Sequence, residues 1–435
     1  MSGRQKLVIV GGSVAGLMIA QLCKAKYDVT VLEQSKDIYS KHCTGGLSLG
    51  EWAINIFKTH IPNGELIKNA IFHKEIAIVS AFEGETKQST IPLENYPVCT
   101  TTWDAVYRTL LSDIQYNSRT SEPMLLTNTK VTHAKYEDNV WKVSYTTGAT
   151  YHVEQADILI AADGAHSTIR KATVTNAQPH FTGRLAWRGR VPGSIVIPQE
   201  LKGVQEGLLV FVRMGGHYII LRVIFLSALE PPFLTISSYA VPNIEIADTS
   251  GKASMEWCWY YPYTEGASLD VENIAVSFVE LDELFKDDLR VQRINETWKK
   301  HLQMTKDEVP PSIWTVLSSC DTPWVTKVTS FQEGLVDPCD QGSIEGSENS
   351  GDCRSVSLLG EKLFLIGEAC AQLPPHIGAS VDATAEQALA ITDRLEGNID
   401  SKTYLGWVKE VTARRHEDSE DTGEMGMYDH IKYQY

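Results

Sequence analysis

This sequence predicts an α/β fold in which a nucleotide-binding βαβ module is interleaved with a mostly antiparallel sheet, and three observations predict it. The chain opens on an apolar strand, a glycine turn, an apolar helix and a second strand, Lys6 to Gln34, KLVIVGGSVAGLMIAQLCKAKYDVTVLEQ. Two more strand-and-turn segments follow far downstream, ADILIAADGAHSTIRK and GEKLFLIGEACAQLPPHIGASVDATAEQALAITDRLEG. Between those two, from about Phe181 to Trp324, long aromatic-rich strands replace helical patterns.

The opening unit has the length and order that hold a dinucleotide. Gly11 and Gly12 let the backbone turn sharply and approach a pyrophosphate, whose charge then meets the free N–H groups of the helix N-terminus. Gly16 lies further along the turn and helix, and Ser13 stands where the usual fingerprint has its middle glycine. Glu33, followed by Gln34, ends the second strand where a carboxylate can accept from a ribose hydroxyl. A plain α/β packing turn is the alternative reading.

Next come a polar loop and an amphipathic helix around Glu51 to Thr59, then alternating patterns from Ile71 to Pro92 that suggest a β-ribbon. TTWDAVYRTLLSDI reads as a helix capped by Thr102. Strands are expected at residues 129 to 135, 140 to 146 and 150 to 153. In the second anchor, a short strand at Ile158 to Ile160 runs into a bend carrying Asp163 and Gly164, which directs a carboxylate and bare backbone into the cleft of the first anchor. An ordinary Asp-Gly turn is its alternative.

The β-rich stretch includes RLAWRGRVP, GLLVFVRMGGHYIILRVIF and SMEWCWYYPY, interrupted by one helical piece, DELFKDDLRVQRINETWKKHLQ. Its candidate catalytic and substrate residues are His217, whose imidazole titrates near working pH and could deprotonate a phenol or ring N–H, and Arg188 and Arg190, which suit an anion, with a packing histidine and solvent-facing strand arginines as the alternatives. Trp187 is a further candidate, and strand parity puts Trp257, Trp259 and Tyr261 on one face, as a pocket wall or as core. Residues 331 to 354 are acidic and loop-like. In the third anchor a strand at Lys362 to Ile366 ends at Gly367 and Glu368, and a long helix starts near Gly378. Gly378, Ala379 and Ser380 set small residues and free N–H groups where an electron-rich ring edge fits, with His376, a further catalytic candidate, just before them. From about Thr412 the polar composition reads as a frayed or surface tail.

The totals exclude several classes. At 435 residues the chain suits two or three modules or one large enzyme. A formal charge of −16 argues against nucleic acid and anionic membranes. No apolar run reaches the ~20 residues of a membrane span, and the apolar N-terminus reads as part of the fold, so the expectation is a cytoplasmic monomer or homodimer acting on a small molecule. Eight scattered cysteines show no metal spacing and read as reduced thiols, with Cys339 and Cys353 the one pair open to a disulfide.

Three anchors in this order, with a β-rich region between the second and third, resemble the FAD-dependent aromatic hydroxylases, the class A flavoprotein monooxygenases. GGSVAGL, LAWRGRVP, WCWYY and PPHIGAS look most like the 2,6-dihydroxypyridine hydroxylase branch. The resemblance implies an FAD-binding domain of glutathione-reductase type, as in para-hydroxybenzoate hydroxylase, at residues 1–70, 98–178 and 355–400. A β-rich substrate domain would occupy 71–97 and 179–330, and 401–435 a C-terminal helix and polar tail. It further implies Glu33 on the adenosine ribose, Asp163 near FAD and a transient NADPH or NADH, residue 368 on the ribityl chain, and Gly378 to Ser380 facing the flavin pyrimidine. Reduced flavin would react with O2 to a C4a-hydroperoxyflavin that passes one oxygen atom to an aromatic, heteroaromatic or alkene substrate, chemistry common in secondary metabolism. Departures are Glu368 for aspartate, Gln387 for an acid and Ser380 for a glycine. WCWYYP also resembles the W-x-W-x-I-P signature of flavin-dependent halogenases, and a non-redox module with a repurposed site is a third reading.

Overall fold

The computed structural model describes residues 4–36, 46–61, 65–82, 85–93, 97–112, 114, 124–174, 178–192, 209–214, 217–225, 253–263, 288–321, 323–331 and 358–425. The acidic stretch with Cys339 and Cys353 lies outside them. The opening unit is β1 (Lys6–Val10), α1 (Val14–Cys23) and β2 (Asp28–Leu32). Then follow β3 (Gly46–Leu49), α2 (Glu51–Thr59), α3 (Glu65–Asn69), β4 (Ile71–His73), β5 (Glu75–Phe82), β6 (Glu85–Pro92) and β7 (Val98–Thr102). The ribbon expected over residues 71 to 92 is the short β4 and the β5–β6 hairpin. Thr102 caps α4 (Trp103–Leu111), its hydroxyl accepting from Ala105 N at 3.1 Å.

Next come β8 (Leu125–Leu126), β9 (Thr129–Glu137), β10 (Val140–Thr147), β11 (Thr150–Ala156), β12 (Ile158–Ala161) and α5 (Thr168–Thr173). The long strands are β13 (His180–Pro192), β14 (Leu209–Met214), β15 (His217–Phe225) and β16 (Ala253–Pro262). The chain ends with α6 (Asp288–Met304), α7 (Pro311–Ser318), β17 (Trp324–Ser330), β18 (Leu363–Leu365), α8 (Ser380–Glu396) and α9 (Ser401–Met425).

A parallel sheet ordered β18-β12-β1-β2-β8 carries the three anchors. β1 is central, so Leu7, Val8 and Ile9 are fully buried whichever face they point to, each worth about 1.5–3 kcal/mol against exposure. α1 packs on α8 beside it, which is why both helices carry small residues.

A seven-stranded sheet, β17-β13-β16-β15-β14-β5-β6, is antiparallel except between β14 and β5. Its strands alternate. Leu185, Trp187 and Val191 of β13 join Trp257 and Trp259 of β16 in a core closed by Trp298 of α6 and Ile313 of α7. Ala186, Tyr218, Cys258 and Tyr260 form a smaller cluster on the other face. The small β3-β7-β4 sheet lies between the two large sheets, with β7 packed on β15.

The tail differs from its expectation. Thr412, His416 and Ser419 are buried, because α9 docks through polar contacts that composition does not reveal. Ser419 Oγ donates to Pro374 O, Ser330 Oγ pairs with His416 Nε2, and Arg415 bridges Asp382 at 3.1 Å and Glu386 at 2.5 Å on α8. No helix among the described residues is long and apolar enough to cross a membrane.

Candidate active-site cleft

The three anchors meet at the carboxyl edge of the parallel sheet. Gly11 has φ +102°, and a Cβ there would strike the Ala162 carbonyl of the second anchor, so the glycine is what lets the ends of β1 and β12 converge. Gly16 similarly faces the Gly11 carbonyl. Gly12 works differently from its sequence reading. A Cβ on it would sit 2.8 Å from Glu33 Cβ and 2.9 Å from Leu125 Cδ1, so its bareness admits these side chains rather than leaving open space.

The Gly12 N–H donates to Glu33 Oε2 at 2.7 Å, and Ser35 N–H donates to Oε1 at 2.7 Å. The carboxylate is thereby fixed beside the turn, with lone pairs left for a hydroxyl. Ser13 is exposed and gives no side-chain cap, and no acidic residue occupies the first turn of α1, so the N-terminal N–H groups face outward beside Glu33. Gln34 is exposed just past β2.

Asp163 accepts from Ser167 Oγ at 2.5 Å and from Thr168 N at 2.7 Å, holding α5 onto the bend. Burial pushes its carboxyl up, and these donors hold it back. Gly164, at φ +79°, has nothing within 4 Å of its Cβ position, so bare backbone faces open space there.

Gly367 has φ +61°, and its Cβ would approach Ala15 Cβ to 2.9 Å, so the third anchor lies directly on the first turn of α1. Gln387 Oε1 accepts from Gly367 N at 2.7 Å and so keeps the acceptor that an acid would supply. Glu368 reaches into a cleft lined by Ser380, Thr384 and Gln387 of α8 and Arg415 of α9. The surrounding protein pushes its carboxyl up.

Arg170 was not singled out from the sequence. Its buried guanidinium donates to Ala165 O at 2.5 Å, Ala369 O at 3.0 Å and Glu368 O at 3.4 Å, and lies 4.1 Å over the Phe331 ring. The second and third anchors are thus joined by one side chain.

The turn before α8 forms the opposite wall. Gly378 has φ +64° and its Cβ would approach Ser48 Oγ to 3.1 Å, so β3 closes against it. Ala379 gives α8 no side-chain cap, and Gly378, Ala379 and Ser380 are half-buried. Asp382 instead accepts from Ala53 N of α2 at 3.0 Å.

His376 is fully buried, with Tyr218 Oη on Nδ1 and Arg184 Nη1 3.4 Å from Nε2. Burial, with the Arg184 and Arg188 charges, pushes its pKa down to about 3, so the ring is neutral. Tyr260 Oη donates to Pro375 O at 3.2 Å. Tyr218 and Tyr260 went unnoticed in the sequence although each adjoins a residue that was named; the signal was the opposite parity of the same strands.

The remaining substrate candidates lie elsewhere. His217 Nδ1 accepts from Trp259 Nε1 at 3.0 Å and its Nε2 meets Glu308 at 2.9 Å; burial lowers its pKa against the pull of Glu308. Trp257 stacks on Trp298 at 4.9 Å, and Trp259 and Tyr261 pack on His301 at 4.5 and 4.7 Å. Trp187 joins the same cluster. These five residues share one face, as parity predicted for Trp257, Trp259 and Tyr261, but α6 covers it and the anchors lie across the other. Arg188 and Arg190 do line the cleft face.

No family model matches the chain. Among curated proteins it is 28% identical over 201 residues to the FAD-dependent monooxygenase atmM of Aspergillus flavus, covering 42% of this chain and 38% of that protein. It is 25% identical over 196 residues to 6-hydroxynicotinate 3-monooxygenase of Bordetella bronchiseptica, covering 44% and 49%. The chain thus spans half the length or less of these relatives. Among solved structures, 2,6-dihydroxypyridine-3-hydroxylase from Arthrobacter nicotinovorans superposes with a TM-score of 0.66 over 98% of this chain and 92% of its own, at 16% identity. Klebsiella pneumoniae HpxO, complexed with FAD and uric acid, gives 0.63 over 98% and 89%, at 15% identity. The chain is therefore similar, over part of its length, to curated FAD-dependent monooxygenases, and carries the fold of 2,6-dihydroxypyridine-3-hydroxylase and HpxO.

Proposed function

We propose that the chain is an FAD-dependent monooxygenase that uses NADPH or NADH and O2 to place one oxygen atom on an electron-rich aromatic, heteroaromatic or alkene small molecule. The observation that carries this reading is the convergence of three anchors on one sheet edge, with two uncapped helix N-termini beside them. The fit to FAD is specific. The N-terminus of α1 takes the pyrophosphate, and Glu33, already oriented by two N–H donors, takes the ribose. Glu368 in its cleft takes the ribityl hydroxyls, and Gly378 to Ser380 take the ring edge. FAD bound there supplies the reductive and oxygen-transfer chemistry.

The chain's own residues position and orient. Arginine only donates, so Arg184 facing Nε2 makes that nitrogen the acceptor, and Nδ1–H of His376 donates to Tyr218 Oη. The hydroxyl hydrogen of Tyr218 is then directed away from the imidazole. With a pKa near 3, His376 orients rather than acts as a base. The domain division given by the sequence is kept in this reading, with the β-rich sheet supplying the substrate wall. Trp257 and Trp259 pack away from the cleft, so nothing favours the halogenase reading.

The test is the absorption spectrum of purified protein with saturating FAD, combined with NAD(P)H oxidation over phenols, hydroxypyridines, indoles and electron-rich alkenes. Product mass under labelled O2 should show one incorporated oxygen. Neither a flavin band nor substrate-stimulated oxidation would refute the reading and favour a repurposed module.

A further inference from the structure

Threonines past the first turn of a helix behave alike here, with one exception among the described residues. Thr109, Thr173, Thr297, Thr315, Thr384 and Thr392 each donate to the carbonyl four residues back, the usual way a helix absorbs a hydroxyl. Thr412 of α9 does not. The residue is 8% exposed, and its buried Oγ1 makes no hydrogen bond among the described residues. The polar group beside it is the Cys370 thiol, a weak partner that burial pushes up to about 12. An unmet buried hydroxyl costs the fold, so where this one lies is informative.

Thr412 borders a cavity of about 40 Å³ between the third anchor, α8 and α9, together with Glu368, Ser380, Gln387 and Arg415. That space admits a few hydroxyl-sized groups. The helix that carries Thr412 is held on three sides: Arg415 on Glu386 and Asp382, His416 on Ser330 of β17, and Ser419 on the Pro374 carbonyl. Arg415 spends Nε and Nη2 on the two carboxylates, which leaves Nη1 with two N–H groups and no partner among the described residues.

Charge decides what kind of group belongs there. Glu368, Asp382 and Glu386 stand against Arg414 and Arg415, so the cavity has no positive excess to hold a phosphate. Its lining instead mixes an acceptor on Glu368, donors on Arg415, and the hydroxyls of Ser380 and Thr412, which do both. Such a set suits a chain of neutral hydroxyls, each of which also donates and accepts.

We infer that α9 is a wall of the cofactor site, Thr412 Oγ1 binding a ribityl hydroxyl of FAD and Arg415 meeting the same polyol. The inference rests on FAD occupying the cleft, as proposed above, where Glu368 was given the ribityl chain without help from α9. A helix from the far end of the chain is thereby coupled to the cofactor. By linkage, the stabilisation that α9 gives to bound FAD is returned as firmer docking of α9.

Thr412→Val keeps the side-chain shape and removes the hydroxyl. In flavin-free protein it deletes an unmet buried polar atom, so the melting temperature should hold or rise. The FAD dissociation constant, read by flavin fluorescence titration, should nevertheless rise roughly three- to tenfold, as expected for one lost hydrogen bond. Thr412→Ser should keep wild-type affinity, and FAD should slow hydrogen exchange across α9. Should Thr412→Val not fold, Thr412→Ala must show the same loss of affinity, with Thr412→Ser as its control. Unchanged FAD affinity without the hydroxyl, or bound FAD that leaves exchange in α9 unaltered, overturns the assignment. A fall in flavin-free melting temperature that accompanies the affinity loss in Thr412→Val makes the role structural and overturns it as well. Wild-type protein that takes up no FAD overturns the proposed function together with this contact, whereas FAD uptake indifferent to Thr412→Val overturns the contact alone.

Discussion

Replacing Arg170 with methionine tests the link that joins the second and third anchors. The wild-type guanidinium makes two short bonds, to Ala165 O and Ala369 O, and one long bond to Glu368 O. A bond from a charged donor contributes about 1.5–3 kcal/mol net, so the two short ones carry about 3–6 kcal/mol. Methionine retains the aliphatic volume over Phe331 and removes the desolvation cost of a buried cation, which leaves a net loss of about 2–4 kcal/mol. At roughly 1 °C per kcal/mol for a chain of 435 residues, the melting temperature should fall by about 2–4 °C. The freed Glu368–Ala369 turn should also weaken FAD binding beyond any loss of fold, read by flavin fluorescence titration below the melting range. Arg170→Lys should recover less than half of both, because an ammonium cannot span three carbonyls. A fall of under about 1 °C with unchanged FAD affinity would refute the reasoning that assigns the link to Arg170.

Other outcomes follow from contacts already described. Gly12→Val should abolish flavin retention, because its Cβ falls 2.8 Å from Glu33 and displaces the ribose acceptor; full flavin occupancy after gel filtration would remove Gly12 and Glu33 from the site. Glu368→Asp should hold FAD as well as wild type or better and Glu368→Ala less well; equal dissociation constants in all three would exclude residue 368. Glu368 keeps solvent contact in its cleft, but the protein packed around it raises its carboxyl, so the folded state holds the proton somewhat more tightly than the unfolded one. Its stabilising share is complete below the ordinary carboxylate range and is lost as pH rises through the raised value. Without cofactor, Glu368→Gln should therefore gain on wild type in urea melts as pH rises through that window, and a pH-independent difference would contradict the raised carboxyl. Arg415→Ala should cost about 3–5 kcal/mol by leaving Asp382 and Glu386 without their shared cation, and a loss below about 1 kcal/mol would mean that α9 is not docked as described.

The anchors were legible because each couples an apolar strand to a glycine turn, a pattern that few other local structures produce. Strand parity likewise put Trp257, Trp259 and Tyr261 on one face correctly. Parity says nothing about which face meets the anchors, however. That is decided by α6, whose Trp298 and His301 claim the tryptophan side, and no local pattern in β16 encodes it. Arg170 was hidden because α5 is only six residues long and its partners are backbone carbonyls 198 and 199 residues away. The α9 tail misled for a related reason: Arg415 and Ser419 read as solvent-facing until Asp382 and the Pro374 carbonyl are brought to them by the fold.

The alternation along β16 has a further consequence for how this chain can change. Met255, Trp257 and Trp259 belong to a packed interior, whereas Glu256, Cys258 and Tyr260, interleaved with them, face the cleft. A one-residue deletion near the start of the strand would swap the two sets, burying a carboxylate among tryptophans and turning the indoles toward the ligand. Insertions and deletions in these strands should thus be lethal to folding, while point substitutions at alternate positions keep the register and can retune selectivity. New substrates in such a scaffold should arise by exchange at every second residue, on the layer that faces the cleft.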